Sequence, residues 1–212
     1  MKGRIALAAL AGLANANFLL APLVGARIDL TTGVISELSV PGEPGSVWFR
    51  LGDGSAGLLC ALLAVPLWRS GLRHARFRGS CLTAFGLTTL VSAIVPLTCA
   101  PSLGVCPASS AGPELLHDGV SVIGTLGAVL GVLELAWRAR GWALKPLAVL
   151  SAAVSGGAGV YEVVTFLQGG NGGGGDSQRY QVLAVSAWVL LEVVSQWRER
   201  GTSREAQVPS PV

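Results

Sequence analysis

The chain has 212 residues, 51% of them hydrophobic and 13% charged, with a mean hydropathy of +0.59. Soluble domains carry about 25% charged residues, so half that share, set around long uncharged runs, excludes an ordinary globular domain and favours an integral membrane protein. The net charge of +3 says little by itself; its distribution along the chain says more.

A membrane-crossing helix needs about 20 mostly apolar residues. Six runs qualify, at 5–25, 51–68, 80–98, 115–136, 146–167 and 180–197, and none has a charge in its middle third. They are too long and too rich in Ala, Leu and Gly for strands, and in hydrocarbon the backbone must satisfy itself internally. The expected fold class is therefore all-α: a polytopic transmembrane bundle of six helices forming one domain over residues 1–197, with a disordered cytoplasmic tail at 198–212.

The first run, "MKGRIALAALAGLANANFLLAPLVGA", has the look of a secretory signal with "VGA" as its cleavage site. Its apolar part is longer than a signal needs, so an uncleaved first helix is the preferred reading. Asn15 and Asn17 interrupt it and are expected to hydrogen-bond across the bundle. Residues 26–50 then form a long loop, in which "VPGEPG" is turn chemistry and "VWF" beside Arg50 suits an interfacial anchor. The run "RSGLRHARFR" between the second and third helices offers a nucleic-acid patch on its face. Between two membrane spans it reads instead as a topology signal in contact with anionic lipid, and no nucleic-acid partner is expected.

Cys99 and Cys106 bracket "APSLGV" between helices 3 and 4. On an oxidising side of the membrane such a short loop favours a disulfide. A metal site is disfavoured because no His or second Cys pair completes a ligand set, and neither metal nor other cofactor is expected. Cys60 and Cys81 read as small packing residues. Helix 4 opens with His117–Asp118, followed by "GTLGAVLG"; "SGGAG" in helix 5 is a second small-residue face allowing close packing. Glu162 lies about a turn inside the end of helix 5. The "QGGNGGGGDSQ" connector is flexible in composition and leads to Arg179 at the head of helix 6.

Orientation follows from Lys and Arg in the short loops. Twelve bases and four acids fall on the side holding both termini; three bases and eight acids fall on the other. Both termini are thus expected in the cytoplasm, with the protein in the plasma (inner) membrane.

Arg50, Asp53, His117, Asp118, Glu162 and Arg179 then share one depth beneath the outer loops. They are the candidate binding residues, expected to form one hydrogen-bonded cluster. The competing explanation is that charges near helix ends reach the interface and acids in first turns favour the helix dipole. Glu162 resists that explanation best. At the inner ends, Glu134 with Arg138, and Glu192, read as ion-paired or interfacial. No zinc, nucleophile-elbow or phosphate-loop motif is present. A catalytic reading therefore rests on His117 with Asp118 or Glu162 alone.

"SEL" (36–38), "FRLGD" (49–53), the "C…CP" loop, His117, and "SQRYQVLAVSAW" (177–188) together resemble the domain-of-unknown-function 998 family of six-helix bacterial and archaeal membrane proteins, over about residues 5–197. That resemblance implies a six-helix plasma-membrane bundle with no established activity. The leading expectation is a non-enzymatic multi-pass protein whose polar outer-leaflet pocket takes a small molecule, lipid headgroup or membrane protein partner. The alternatives are a membrane-embedded hydrolase or lipid-modifying enzyme using His117, and a small-molecule transporter. A transporter would need a polar path on to Glu134 or Glu192.

Overall fold

The computed structural model describes residues 2–29, 31–104, 106–107, 111–167 and 175–205, with side chains except at 111, 166, 167 and 200–205. Among the described residues there is no strand. The long elements are α1 (Lys2–Asn15), α2 (Ser46–Trp68), α3 (Arg73–Ile94), α4 (Ala111–Arg138), α5 (Leu144–Leu167) and α6 (Gly175–Glu205). Each packs on its neighbour in sequence, and α6 closes onto α1. Short connections favour such an arrangement, a ring in chain order.

Among the described residues, α2, α3, α4 and α5 are long and apolar enough to cross a membrane. A fifth span is α1 taken with the 3-10 segment Asn17–Val24, bent against it by 47°. Helix 1 was expected to run unbroken over 5–25. The break falls at the Asn15–Asn17 interruption, where both side chains are committed to other helices, and Pro22 lacks an amide to continue an α-helical ladder. α6 is not among the apolar spans because its inward face is polar: Gln181, Glu192, Ser195 and Gln196 are all buried.

Three boundaries differ from expectation. α2 starts at Ser46, on Gly45, whose φ of +79° is left-handed and suits glycine. α3 starts at Arg73 rather than near 80, so residues 73–78 of the basic run are helix and not loop. α6 continues to Glu205, so the stretch from 198 to 205, expected to be disordered, is helical. Residues 206–212 and the Gly tract at 168–174 lie outside the described residues.

The polarity of the bundle is inverted relative to a soluble one. Leu13, Leu23 and Leu115 are more than two-thirds exposed, while Arg78 and Glu192 are fully buried. Outward apolar surface on this scale has no place in water. The inner core is Trp188, Leu135, Val132, Leu82 and Cys60, with Phe85 edge-on to Trp188 at 6.2 Å between ring centroids.

Small residues set the closest helix contacts. Gly57 on α2 and Gly86 on α3 face each other, backbone against backbone. Gly127 lies against Cys81 and Ala84 of α3, and Gly131 against the Trp188 ring, so the small-residue face of α4 packs as its spacing suggested. The "SGGAG" face does so only in part. Gly159 approaches Gln181, but nothing lies within 4 Å of a Cβ placed on Gly156 or Gly157.

Candidate functional site

The two asparagines that break helix 1 organise the half of the bundle beneath the loop at 26–45. Asn15 Nδ2 donates to the Val182 carbonyl and to Ser186 Oγ, at 3.3 and 2.9 Å. Asn17 Nδ2 donates to the Phe49 carbonyl and to Asp53 Oδ1, both at 2.9 Å. Loop 1 folds back over this region. Its 3-10 turn Ile35–Ser39 is held by Gln178 Oε1, which accepts the Ile35 amide, and by Arg179, whose Nη2 donates to the Gly33 carbonyl at 3.1 Å. The "VPGEPG" turn is closed by Arg27–Glu43 at 2.6 Å. Asp29, out in this loop, is held below the usual carboxylate range by the Thr31 amide and hydroxyl.

Beneath the loop lies a cavity of about 140 Å³, walled by the Ile35–Ser39 turn and by α1, α2, α3, α4 and α6. Asn15, Asp53, Thr88, His117, Thr125 and Gln181 are among its lining residues.

Several donors of this lining are already committed. Thr88 Oγ1, Thr89 Oγ1 and Ser121 Oγ each donate to a carbonyl of their own helix at 2.8 Å, so their lone pairs remain available. Asn15 spends its amide hydrogens as above, and Gln181 Nε2 donates to the Ser155 carbonyl at 3.4 Å. His117 Nδ1 lies 3.0 Å from the Val95 carbonyl. A carbonyl only accepts, so Nδ1 carries the hydrogen and a neutral ring keeps Nε2 as an acceptor. The cavity is thus rich in acceptors and has one carboxylate.

The single cluster expected from the sequence is resolved into separate partnerships. Asp53 and His117 do line one cavity, but Arg50, Asp118, Glu162 and Arg179 are not in its lining. Arg50 Nε donates to the Ala93 carbonyl at 2.9 Å. Arg179 serves loop 1 and has Asp176 at 3.8 Å. Glu162 on α5 meets the Ser177 hydroxyl. His117 is buried, whereas Asp118 beside it is exposed, since consecutive helical residues point about 100° apart. A shared depth along the membrane normal does not give a shared azimuth.

The site that sequence reasoning missed lies at the other end. Arg78 on α3 is fully buried, with Nη2 3.1 Å from each Glu199 oxygen, Nη1 3.4 Å from Ser195 Oγ and Nε 3.6 Å from Glu192 Oε1. Gln196 Nε2 donates to Glu192 Oε1 at 3.1 Å, and Arg4 of α1 donates to Gln196 Oε1 at 2.6 Å. The Glu134–Arg138 pair forms as its spacing implied. The missed signal was periodicity: 192, 195, 196 and 199 share one helical face.

Cys99 and Cys106 form a disulfide with a Cα–Cα separation of 5.8 Å, and Cys60 and Cys81 are buried free thiols.

A family model described as "Protein of unknown function (DUF998)" matches residues 6–195. No curated protein and no solved structure matches the chain.

Proposed function

We propose that this chain, which belongs to the DUF998 family, crosses the plasma membrane six times with both termini in the cytoplasm and binds a small primary ammonium compound in its polar cavity, catalysing no reaction. The observation that carries the ligand reading is the acceptor-rich lining around Asp53, from which both Arg50 and Arg179 turn away. An ammonium group brings three donors and a positive charge to such a lining. The volume is close to that of an apolar cavity of about 150 Å³ that admits benzene, so the ligand has about six non-hydrogen atoms at most.

The sixth span in this reading is α6, about 46 Å long at 1.5 Å per residue. Its polar residues face the bundle, so they need not meet lipid. Exposed Trp68, Trp137 and Trp142 stand beside Arg69, Arg138 and Arg140, the pairing of aromatics and bases that marks a cytoplasmic interface. Reporter fusions at 75, 142 and 205 are expected to read inside, and fusions at 40 and 172 outside. An inverted result at 75 would overturn the topology.

Thermal unfolding of the detergent-purified protein tests the ligand. Ethanolamine is expected to raise Tm, while ethylene glycol and glycolate, its neutral and anionic counterparts, leave Tm unchanged. Asp53→Asn is expected to weaken binding by roughly 10- to 100-fold, the value of one hydrogen bond to a charged group. Nanodiscs with and without phosphatidylethanolamine separate a free amine from a lipid headgroup as the source. Equal stabilisation by glycolate, or binding unchanged in Asp53→Asn, would remove the ammonium reading.

The enzymatic reading is weakened, because His117 Nδ1 bonds the Val95 carbonyl and Asp118 beside it is exposed. A through-path to Glu192 meets Trp188 and Val189, both fully packed between cavity and ion network, which weighs against transport in this conformation.

A further inference from the structure

Glu114, in the first turn of α4, has a place in neither the cavity nor the fold. One of its carboxylate oxygens lies within 4.8 Å of both Cys99 Sγ and Cys106 Sγ. One of its oxygens is also buried with no hydrogen-bond partner among the described residues. An unpartnered buried acceptor is costly. Here it lies beside two sulfurs that carry no hydrogen while they are joined and carry two once they are reduced. The acceptor thus gains its missing donor only in the dithiol state. Both sulfur-bearing residues are half-buried rather than sealed, so a small thiol can approach them.

We propose that Cys99–Cys106 is a redox-active disulfide that exchanges with external thiols, with Glu114 as the group that carries its protons. In the forward step an external thiolate attacks one sulfur of the bridge. The S–S bond breaks, a mixed disulfide forms, and the departing sulfur takes the proton held by the Glu114 carboxyl. A second thiolate, from the same dithiol reductant or a second monothiol, then resolves the mixed disulfide. The second cysteine sulfur leaves and is protonated, again through Glu114 after it has recovered a proton from solvent. Two electrons pass from the reductant, which becomes a disulfide, and the protein ends as two thiols. Oxidation by a disulfide substrate is the reverse, with the Glu114 carboxylate accepting the proton.

The surrounding elements connect this exchange to the cavity. The 3-10 turn Pro101–Leu103 lies inside the disulfide loop. Ser102 donates both its amide, at 3.3 Å, and its hydroxyl to Glu37 Oε2. Glu37 belongs to the Ile35–Ser39 turn that walls the cavity. Opening the bridge frees the loop that holds that wall.

The titratable groups beside Glu114 on α4 are His117 and Asp118, and Glu37 lies across Ser102 of the disulfide loop, so a pH profile needs the variant to assign it. The full-length protein in nanodiscs is mixed with dithiothreitol from pH 5 to 9, and free thiols are counted by a gel-shifting maleimide. Rates are divided by the thiolate fraction of the reagent. The native protein is expected to lose rate toward high pH, where a carboxyl no longer donates a proton. Glu114→Gln is expected to be about tenfold slower at low pH and flat across the range. The effect stays below the usual general-acid contribution because a thiolate already leaves readily. Glu114→Asp is expected to restore the slope. Cys99→Ser/Cys106→Ser sets the background labelling of Cys60 and Cys81. Identical profiles for the native protein and Glu114→Gln would overturn the proton-carrying role. A bridge reduced only after unfolding would overturn the exchange activity, and neither result bears on ammonium binding.

Discussion

Arg78→Ala is expected to be the most damaging single substitution in the inner half of the bundle, lowering stability by about 3–5 kcal/mol. Arg78 and Glu192 are both fully buried, and Glu192 already has one oxygen without a partner. Removing the guanidinium leaves a carboxylate in the bundle interior that keeps the Gln196 hydrogen bond but loses its buried cation. The reverse substitution differs. Glu192→Gln leaves Arg78 its two bonds to Glu199, whose side chain is 43% exposed and in part solvated. A milder loss is expected there, about 1–2 kcal/mol from one charged hydrogen bond. Replacing both together, Arg78→Met with Glu192→Leu, removes the desolvation problem and is expected to recover most of the loss. Thermal unfolding in one detergent, read by intrinsic tryptophan fluorescence, orders the three proteins. If Arg78→Ala unfolds within about 1 kcal/mol of the native protein, the buried network is not what joins α3 to α6.

This network also shows where sequence reasoning stopped. "RSGLRHARFR" was read as a connection between two spans because the apolar runs on either side set its limits. Its second part, residues 73–78, opens α3 and places Arg78 inward and Phe77 outward (44% exposed), a distinction that exists only once the helix phase is known. The apolar runs were legible because membrane length is a one-dimensional property. So was the Cys99–Cys106 bridge, where short spacing nearly decides geometry. Asn15 and Asn17 were legible as polar groups needing partners, though not as the bend they produce. The candidate cluster was half legible. Asp53 and His117 face one space, but Arg50, Asp118, Glu162 and Arg179 were grouped with them by depth alone. Azimuth around each helix axis depends on how six helices are rotated in the ring, and no single run encodes it.

Gly57→Ala is expected to destabilise the bundle by about 3 kcal/mol, although alanine is the better helix former by about 1 kcal/mol. A Cβ on Gly57 would stand 2.5 Å from the Gly86 carbonyl oxygen and 2.7 Å from the Leu90 amide nitrogen. Both are backbone atoms of α3, so no side chain can swing aside and the helices themselves must part. They are held close on either side of the contact, by Cys60, Leu63, Leu67 and Leu82 toward the inner end and by Arg50 on the Ala93 carbonyl toward the outer. Parting them also moves Asp53 away from Thr88 and Thr89, which share its cavity, so ethanolamine binding should weaken along with stability. Gly156→Ala makes the same chemical change on α5, where nothing lies within 4 Å of the new methyl. It is expected to be neutral or slightly stabilising by its propensity, with ligand binding intact. The two variants, unfolded side by side in one detergent, separate packing from propensity. Equal Tm values for them would mean that α2 and α3 do not approach backbone to backbone, and the wall that carries Asp53 would have to be placed elsewhere.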